Sequence, residues 1–228
     1  VATATPPAIE PGTDPTVSQL IVAYLDFAAE FYRKPDGKQR NEYHASSLAL
    51  GFVRRHSGDC LASEFGPRKL REVRQLMIDE KLSRVYINDQ VRRIIRAFKW
   101  ATSEELIEPS VFQALKTLEG LRKGRTTAKD SKQRKPVSES VVEATIKHLP
   151  DVVADMVVVQ RHTGMRSGEL IQMRPCDIDR SGDVWLYTPR QFKSAHHGKS
   201  RVVAIGPRAQ AVLLRYLARA DDMHLFRP

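Results

Sequence analysis

The stretch HTGMRSGELIQMRPCDID, residues 162–179, joins two kinds of periodicity. Before it, DVVADMVVVQRHTG is strongly apolar, reads as a helix and reaches Gly164. After it, Ile178 opens a series of β-branched and aromatic clusters: Val184, Trp185 and Tyr187, then Val202, Val203 and Ile205. The turn-like SGD and SAHHGKS separate these clusters, so they predict a small antiparallel sheet. Within the quoted stretch Arg166 and Glu169 are three positions apart, a spacing that sets a guanidinium and a carboxylate side by side on one helical turn. Taken without its surroundings, this pair reads as an ordinary helix salt bridge. Farther out, Pro207 to Ala218 predicts a helix with Ala209, Val212, Leu213 and Tyr216 inward. A shorter helix, capped by Ser138, is expected from Val141, Val142, Ala144, Ile146 and Leu149.

Upstream the pattern is helical throughout. Val17, Leu20, Ile21, Tyr24, Leu25, Phe27, Ala28 and Phe31 recur at three and four residues behind Thr16, a natural N-cap. RKPDGK breaks that helix. A second is expected over Glu42 to Arg55, with Leu48, Leu50, Phe52 and Val53 inward and Gly58 ending it. A third starts near Pro67 and presents Leu70, Val73, Leu76 and Met77. The fourth, Ser83 to Thr102, carries the stripe Ile87, Val91, Ile94, Ile95 and Phe98. On it Arg92, Arg96 and Lys99 share a face, with Arg93 beside them. Such a row is either a solvated face or a helix laid along a DNA groove, its cations on phosphates or guanine edges. Nothing in this half pairs a nucleophile with a base.

The 228 residues carry a formal net charge of +10, and 41% of them are hydrophobic, enough for buried cores. The charge is uneven. Residues 119–135, EGLRKGRTTAKDSKQRK, hold seven basic and two acidic side chains, half of the whole excess. Their only apolar side chains are Leu121 and Ala128, so the segment is expected to bury no face and to act as a linker. Its basic residues, among them Arg122, Lys123 and Arg125, suit contact with a phosphate backbone, where each neutralised phosphate releases counterions. The organisation that follows is a disordered extension over 1–13, a helical DNA-binding domain over 14–118, the basic linker over 119–135 and an α+β unit over 136–228.

The quoted stretch resembles the first active-site block of tyrosine recombinases, the phage integrase family, in which TG-x-R-x-x-E-L leads into a strand-forming segment ending D-I-D. FKSAHHGKSRVVAIGP resembles the family's lysine hairpin and the strand after it. The resemblance covers residues 14 to 228, and its specific part is 162–206. It implies a mainly α fold with a small antiparallel sheet: an N-terminal helical core-binding domain followed by part of the α+β catalytic domain. It implies DNA strand cleavage and rejoining through a 3′-phosphotyrosyl intermediate, with no metal or nucleotide cofactor. An arginine's planar fork can hold two non-bridging oxygens as charge builds on the phosphate. Arg166 matches the family's first catalytic arginine, and Glu169 the acidic residue that orients it. The hairpin lysine, the general acid toward the departing 5′ oxygen, is Lys193 or, in this longer hairpin, Lys199. The implied partners are double-stranded DNA and, for a full-length protein, other copies in a tetrameric synapse, in a bacterial cytoplasm at the nucleoid.

Other classes recede. Cys60 and Cys176 are too few for a disulfide scaffold and favour a reducing compartment. No apolar run is long enough for a membrane span. The adjacent His196 and His197, or His56 with Cys60, lack further ligands for a metal set. Of the family's later blocks, only the H-x-x-R spacing of His224 and Arg227 is seen, without its apolar context, and Tyr216 falls on an inward helix face. The chain is therefore expected to be a fragment without the nucleophilic tyrosine. A non-catalytic DNA-binding regulator with the same fold is the alternative, and an RNA-binding protein a weaker one.

Overall fold

The computed structural model describes residues 9, 13–34, 37–190, 192 and 200–226. Most of the expected 1–13 extension, Lys193, His196, His197, Lys199 and Arg227 lie outside the described residues. The chain divides into two compact units, Val1–Gln133 and Arg134–Pro228.

The first unit is built from helices α1 (Val17–Phe31), α2 (Asn41–Ser57), α3 (Pro67–Asp79), α4 (Arg84–Ser103) and α5 (Pro109–Lys116). Thr16 caps α1 reciprocally: its Oγ accepts from the Gln19 N–H at 3.2 Å, and Gln19 Oε1 accepts from the Thr16 N–H at 2.8 Å. Ser83 caps α4 through the Tyr86 N–H, and Pro67 opens α3 where its missing N–H costs nothing. The α4 stripe Ile87, Val91, Ile94 and Phe98 is buried with Ala97 and Ala101, and Phe98 stacks on Phe65 at 5.0 Å.

Leu48, expected inward, is not, and three other side chains of the apolar patterns lie at or beyond the margin of the core. Leu48 is 61% exposed, because α2 turns Ser46, Ala49, Leu50, Val53 and Ser57 to the core at helical spacing and Leu48 falls outside that stripe. Leu76 sits at the margin of α3, whose buried stripe is Leu70, Val73 and Met77. Phe27 and Phe31 stack on each other at 5.2 Å outside the core, and Phe27 stacks on Trp100 at 5.2 Å.

The expected linker is largely part of this unit. The Leu121 N–H donates to Asn88 Oδ1 at 2.8 Å, and Asn88 Nδ2 donates to the Leu121 carbonyl at 3.0 Å. Arg84 donates its N–H to the Lys129 carbonyl at 2.8 Å and pairs through Nε with Asp130 at 2.8 Å. Arg74 Nη1 reaches the Glu119 carbonyl at 2.7 Å, Ala128 is buried, and Leu121 packs on the core. Composition points to a linker because the docking is made by backbone groups and side chains from α3 and α4, not by an apolar face of the segment.

The second unit holds α6 (Glu139–Ile146), α7 (Asp151–Thr163), α8 (Ser167–Ile171), strands β1 (Ile178–Asp179), β2 (Trp185–Tyr187) and β3 (Val203–Ile205), and α9 (Pro207–Leu213). The strands form one antiparallel sheet in the order β1-β2-β3, with Ile178 opposite Tyr187 and Tyr187 opposite Val203. Val203 and Ile205 face the core and Ala204 faces out. Around them pack Val159, Met165, Leu170, Met173, Ala209, Leu213, Leu225 and Phe226. The last expected helix stops at Leu213, five residues short of Ala218, and α6 buries none of its residues.

The amides of Leu121 and Arg84 are expected to exchange slowly with deuterated water. Replacing Asn88 by Ala removes two hydrogen bonds, each worth about 1 kcal/mol. Trypsin should then cut after Arg122, Lys123 and Arg125 faster than in the unaltered protein. Equal cutting of the two would show that the segment is not held.

Candidate functional site

The geometry around Arg166 begins with a turn. Gly164 ends α7 at φ 64°, the left-handed conformation a glycine adopts without strain, and its N–H donates to the Gln160 carbonyl. Gln160 Nε2 donates to the Met165 carbonyl at 3.2 Å, Met165 is buried, and Arg166 becomes the N-cap of α8. The Arg166 N–H donates to Glu169 Oε2 at 2.9 Å, and its Nη1 donates to Oε1 at 2.8 Å. The Glu169 side chain is 2% exposed while that of Arg166 is 54% exposed, so a buried anion holds a half-open cation.

Two further groups converge there. Arg201, just ahead of β3, brings Nε to 2.7 Å from the same Oε1. Tyr187 on β2 donates its hydroxyl to the Glu169 carbonyl at 2.6 Å. Burial pushes the Glu169 carboxyl up, but the Arg166 N–H and the two guanidiniums outweigh it and hold the group below its ordinary 4.5. The expected Arg166–Glu169 pairing is thus brought together. Arg201 is the residue that sequence reading missed. Its signal was available in strand alternation, since 201, 203 and 205 share a face and the last two are buried.

Lys193 and Lys199 lie outside the described residues. His224 is exposed in a loop after α9, beside buried Leu225 and Phe226, and the Leu225 N–H donates to the Met173 carbonyl. Tyr216 donates to Asp155 Oδ2 at 2.6 Å, and burial together with that bond pushes its hydroxyl up to about 12. Tyr187 is buried and raised as well, first by burial and then by the nearby Asp177 and Glu169 charges. Both hydroxyls are thus engaged as donors. Among the described residues no group of three or more His, Cys, Asp or Glu could hold a metal ion.

In the first unit the basic row is only partly free. Glu42, in the first turn of α2, accepts from Arg93 Nη2 at 2.9 Å and Nε at 3.1 Å, and from Arg96 Nη1 at 2.6 Å. Arg96 also donates to the Tyr32 hydroxyl, and Arg92 pairs with Asp89. Lys99 is exposed, as are Arg122, Lys123 and Arg125, of which Arg122 pairs with Glu119 at 2.8 Å. A cavity of about 810 Å³ in this unit is lined by Asp14, Glu104, Glu105 and Glu108, a charge that repels phosphate.

No protein-family model matches the sequence, and no curated protein matches it. Solved structures do. A segment of the Tn1549 transposon integrase in complex with circular intermediate DNA is 17% identical with a TM-score of 0.59, over 90% of this chain and 65% of that one. A lambda integrase tetramer bound to a Holliday junction is 16% identical with a TM-score of 0.62, over 89% of this chain and 56% of that one. A lambda integrase dimer bound to a COC′ core site gives the same identity and TM-score over 69% of its chain. The chain therefore spans between roughly half and two thirds of these matched chains, two of which are themselves segments, and over that span it has their fold: mainly helical, with a small three-stranded antiparallel sheet.

Because Glu169 sits below 4.5 when folded, its contribution to stability is complete above that value and is lost as the pH falls through the depressed one. Replacing Glu169 by Gln is expected to cost about 1–3 kcal/mol at neutral pH, by turning the charge-assisted bonds of a buried carboxylate into weaker ones to a neutral amide. It should also flatten the acid limb of urea denaturation midpoints against pH. A variant with an unchanged acid limb would remove Glu169 from that role.

Proposed function

We propose that the chain is the DNA-binding and arginine-bearing portion of a tyrosine-type site-specific DNA recombinase. The observation that carries this reading is Arg166, half-exposed yet fixed by the buried, ionised Glu169, on a TG-x-R-x-x-E-L turn within the integrase fold. A guanidinium held on one side by a carboxylate presents its remaining N–H donors in a fixed fork. Two non-bridging oxygens of a phosphodiester match that fork, and its charge offsets the charge gained in the pentavalent state. In the implied reaction a tyrosine oxygen bonds to phosphorus, the bond to the 5′ oxygen breaks, and Lys193 or Lys199 gives that oxygen a proton. Glu169 acts through Arg166, by preventing its rotation. No step calls for a metal or a nucleotide cofactor.

On this reading the first unit contacts duplex DNA, with Arg92, Arg96, Lys99, Arg122, Lys123 and Arg125 on phosphates, and a complete enzyme works as a tetramer on two duplexes. Arg96 would have to share itself between Glu42 and a phosphate, whereas Lys99, Lys123 and Arg125 carry the more available charge. The second unit's two tyrosines, Tyr187 and Tyr216, are both engaged in hydrogen bonds. That favours a second reading for the chain by itself: DNA binding without cleavage.

A nicked suicide duplex separates the two, because it traps a covalent protein–DNA adduct. The 228-residue chain is expected to bind it and form none. An adduct that Arg166→Ala abolishes would assign cleavage to this chain, and loss of all DNA binding would remove both readings. Changing Arg122, Lys123 and Arg125 together to Ala should lower the slope of log affinity against log salt by about 2–3 and weaken every duplex alike. A loss confined to one sequence would mean that these residues read bases.

A further inference from the structure

Glu169 is over-matched. One carboxylate oxygen, Oε1, takes both Arg166 Nη1 at 2.8 Å and Arg201 Nε at 2.7 Å, so two guanidiniums are drawn against a single atom. With Glu169 ionised, the trio retains a charge of +1, and like charges this close are unfavourable until an anion joins them. Each guanidinium carries five N–H donors, and the contacts to Glu169 engage only one nitrogen of each. Arg166 is 54% exposed and Arg201 31% exposed, so both reach solvent from the same carboxylate. Arg201 also shares the inward strand face of Val203 and Ile205, where a long cation has no packing reason to stand.

We propose that Arg201 is a second phosphate-binding arginine, and that Arg166 and Arg201 form one two-guanidinium anion site, preset by Glu169, for a phosphodiester of the DNA backbone. This rests on the recombinase reading for the identity of the anion, while the site itself takes any tetrahedral phosphate. Glu169 holds the two forks at a fixed separation, so neither pays the entropy of being ordered when the phosphate arrives. Arg166 and Arg201 then divide its non-bridging oxygens. Because both guanidiniums lean on one oxygen, losing either loosens the other.

The test follows the side-chain Nε–H signals of the two arginines by ¹H–¹⁵N spectroscopy on the whole chain, during titration with inorganic phosphate and, separately, with a short DNA duplex. Both signals should shift with a common midpoint in each arm. Arg201→Gln should weaken inorganic phosphate at least fivefold while backbone amides away from the site keep their positions, and Arg201→Lys should restore part of the loss. If Arg166 shifts alone and Arg201→Gln binds phosphate as before, Arg201 is a structural tie and this proposal falls while the role of Arg166 stands. If neither arginine responds to phosphate or duplex although the chain binds DNA, the recombinase reading of Arg166 falls with it. The unaltered protein's titration decides the matter even where Arg201→Gln does not fold.

Discussion

One buried carboxylate constrains the second unit more than any other group. Ionised and 2% exposed, Glu169 would cost several kcal/mol to bury if left unsatisfied. Its oxygens meet the Arg166 N–H, the Arg166 guanidinium and Arg201, while its carbonyl accepts from Tyr187. These partners come from three separate stretches of chain. The turn at Gly164 sets the first, β2 supplies Tyr187, and the approach to β3 supplies Arg201. The pairing of Tyr187 with Val203 brings the last two to the same end of the sheet. A slip of one residue between β2 and β3 would turn Arg201 to the opposite face and leave the carboxylate half-matched. The turn, the register and the orientation of Arg166 are therefore one condition.

The same device recurs. Asp177 holds Arg174 at 2.6 and 2.7 Å and Arg190 at 3.2 Å, Asp155 holds Arg215 and the Tyr216 hydroxyl, and Glu42 holds Arg93 and Arg96. Arg190, Arg215 and Arg96 are each more exposed than the acid that holds them, whereas Arg174 and Arg93 are buried with theirs. The net charge of +10 thus overstates what a polyanion meets in free cations and understates how many are held in position. An arginine so held presents its fork with less rotamer freedom left to lose, which favours phosphate over a diffuse attraction.

Much of this was legible in the sequence. The helices appeared where three-and-four spacing was dense, as at Ile87, Val91, Ile94 and Phe98, because burial on one stripe is what spacing reports. The strands appeared as short β-branched runs, and Arg166 with Glu169 as a local pair. What stayed hidden is non-local. Arg201 lies more than thirty positions from Glu169, and only the fold of the sheet brings them together. Leu48 reads as inward, and Phe27 and Phe31 fit the spacing of the α1 stripe, because hydrophobicity does not say which face a neighbouring helix covers. The margin of α1 instead stacks its aromatic rings side by side.

The segment 119–130 changes what its charge means. A floating basic linker would lose chain entropy each time it met a phosphate, at about 1–2 kcal/mol per backbone residue fixed. Here Asn88, Arg84 and Arg74 already hold its backbone at Leu121, Lys129 and Glu119, so that cost is met in folding. Lys123 and Arg125 project from a frame that α3 and α4 define, and exposure leaves their charges accessible. The basic composition that looks like flexibility is then a property of a folded edge. Its electrostatic reach is set by α4, the helix that also carries Arg92, Arg96 and Lys99, so the two sets of cations move as parts of one unit.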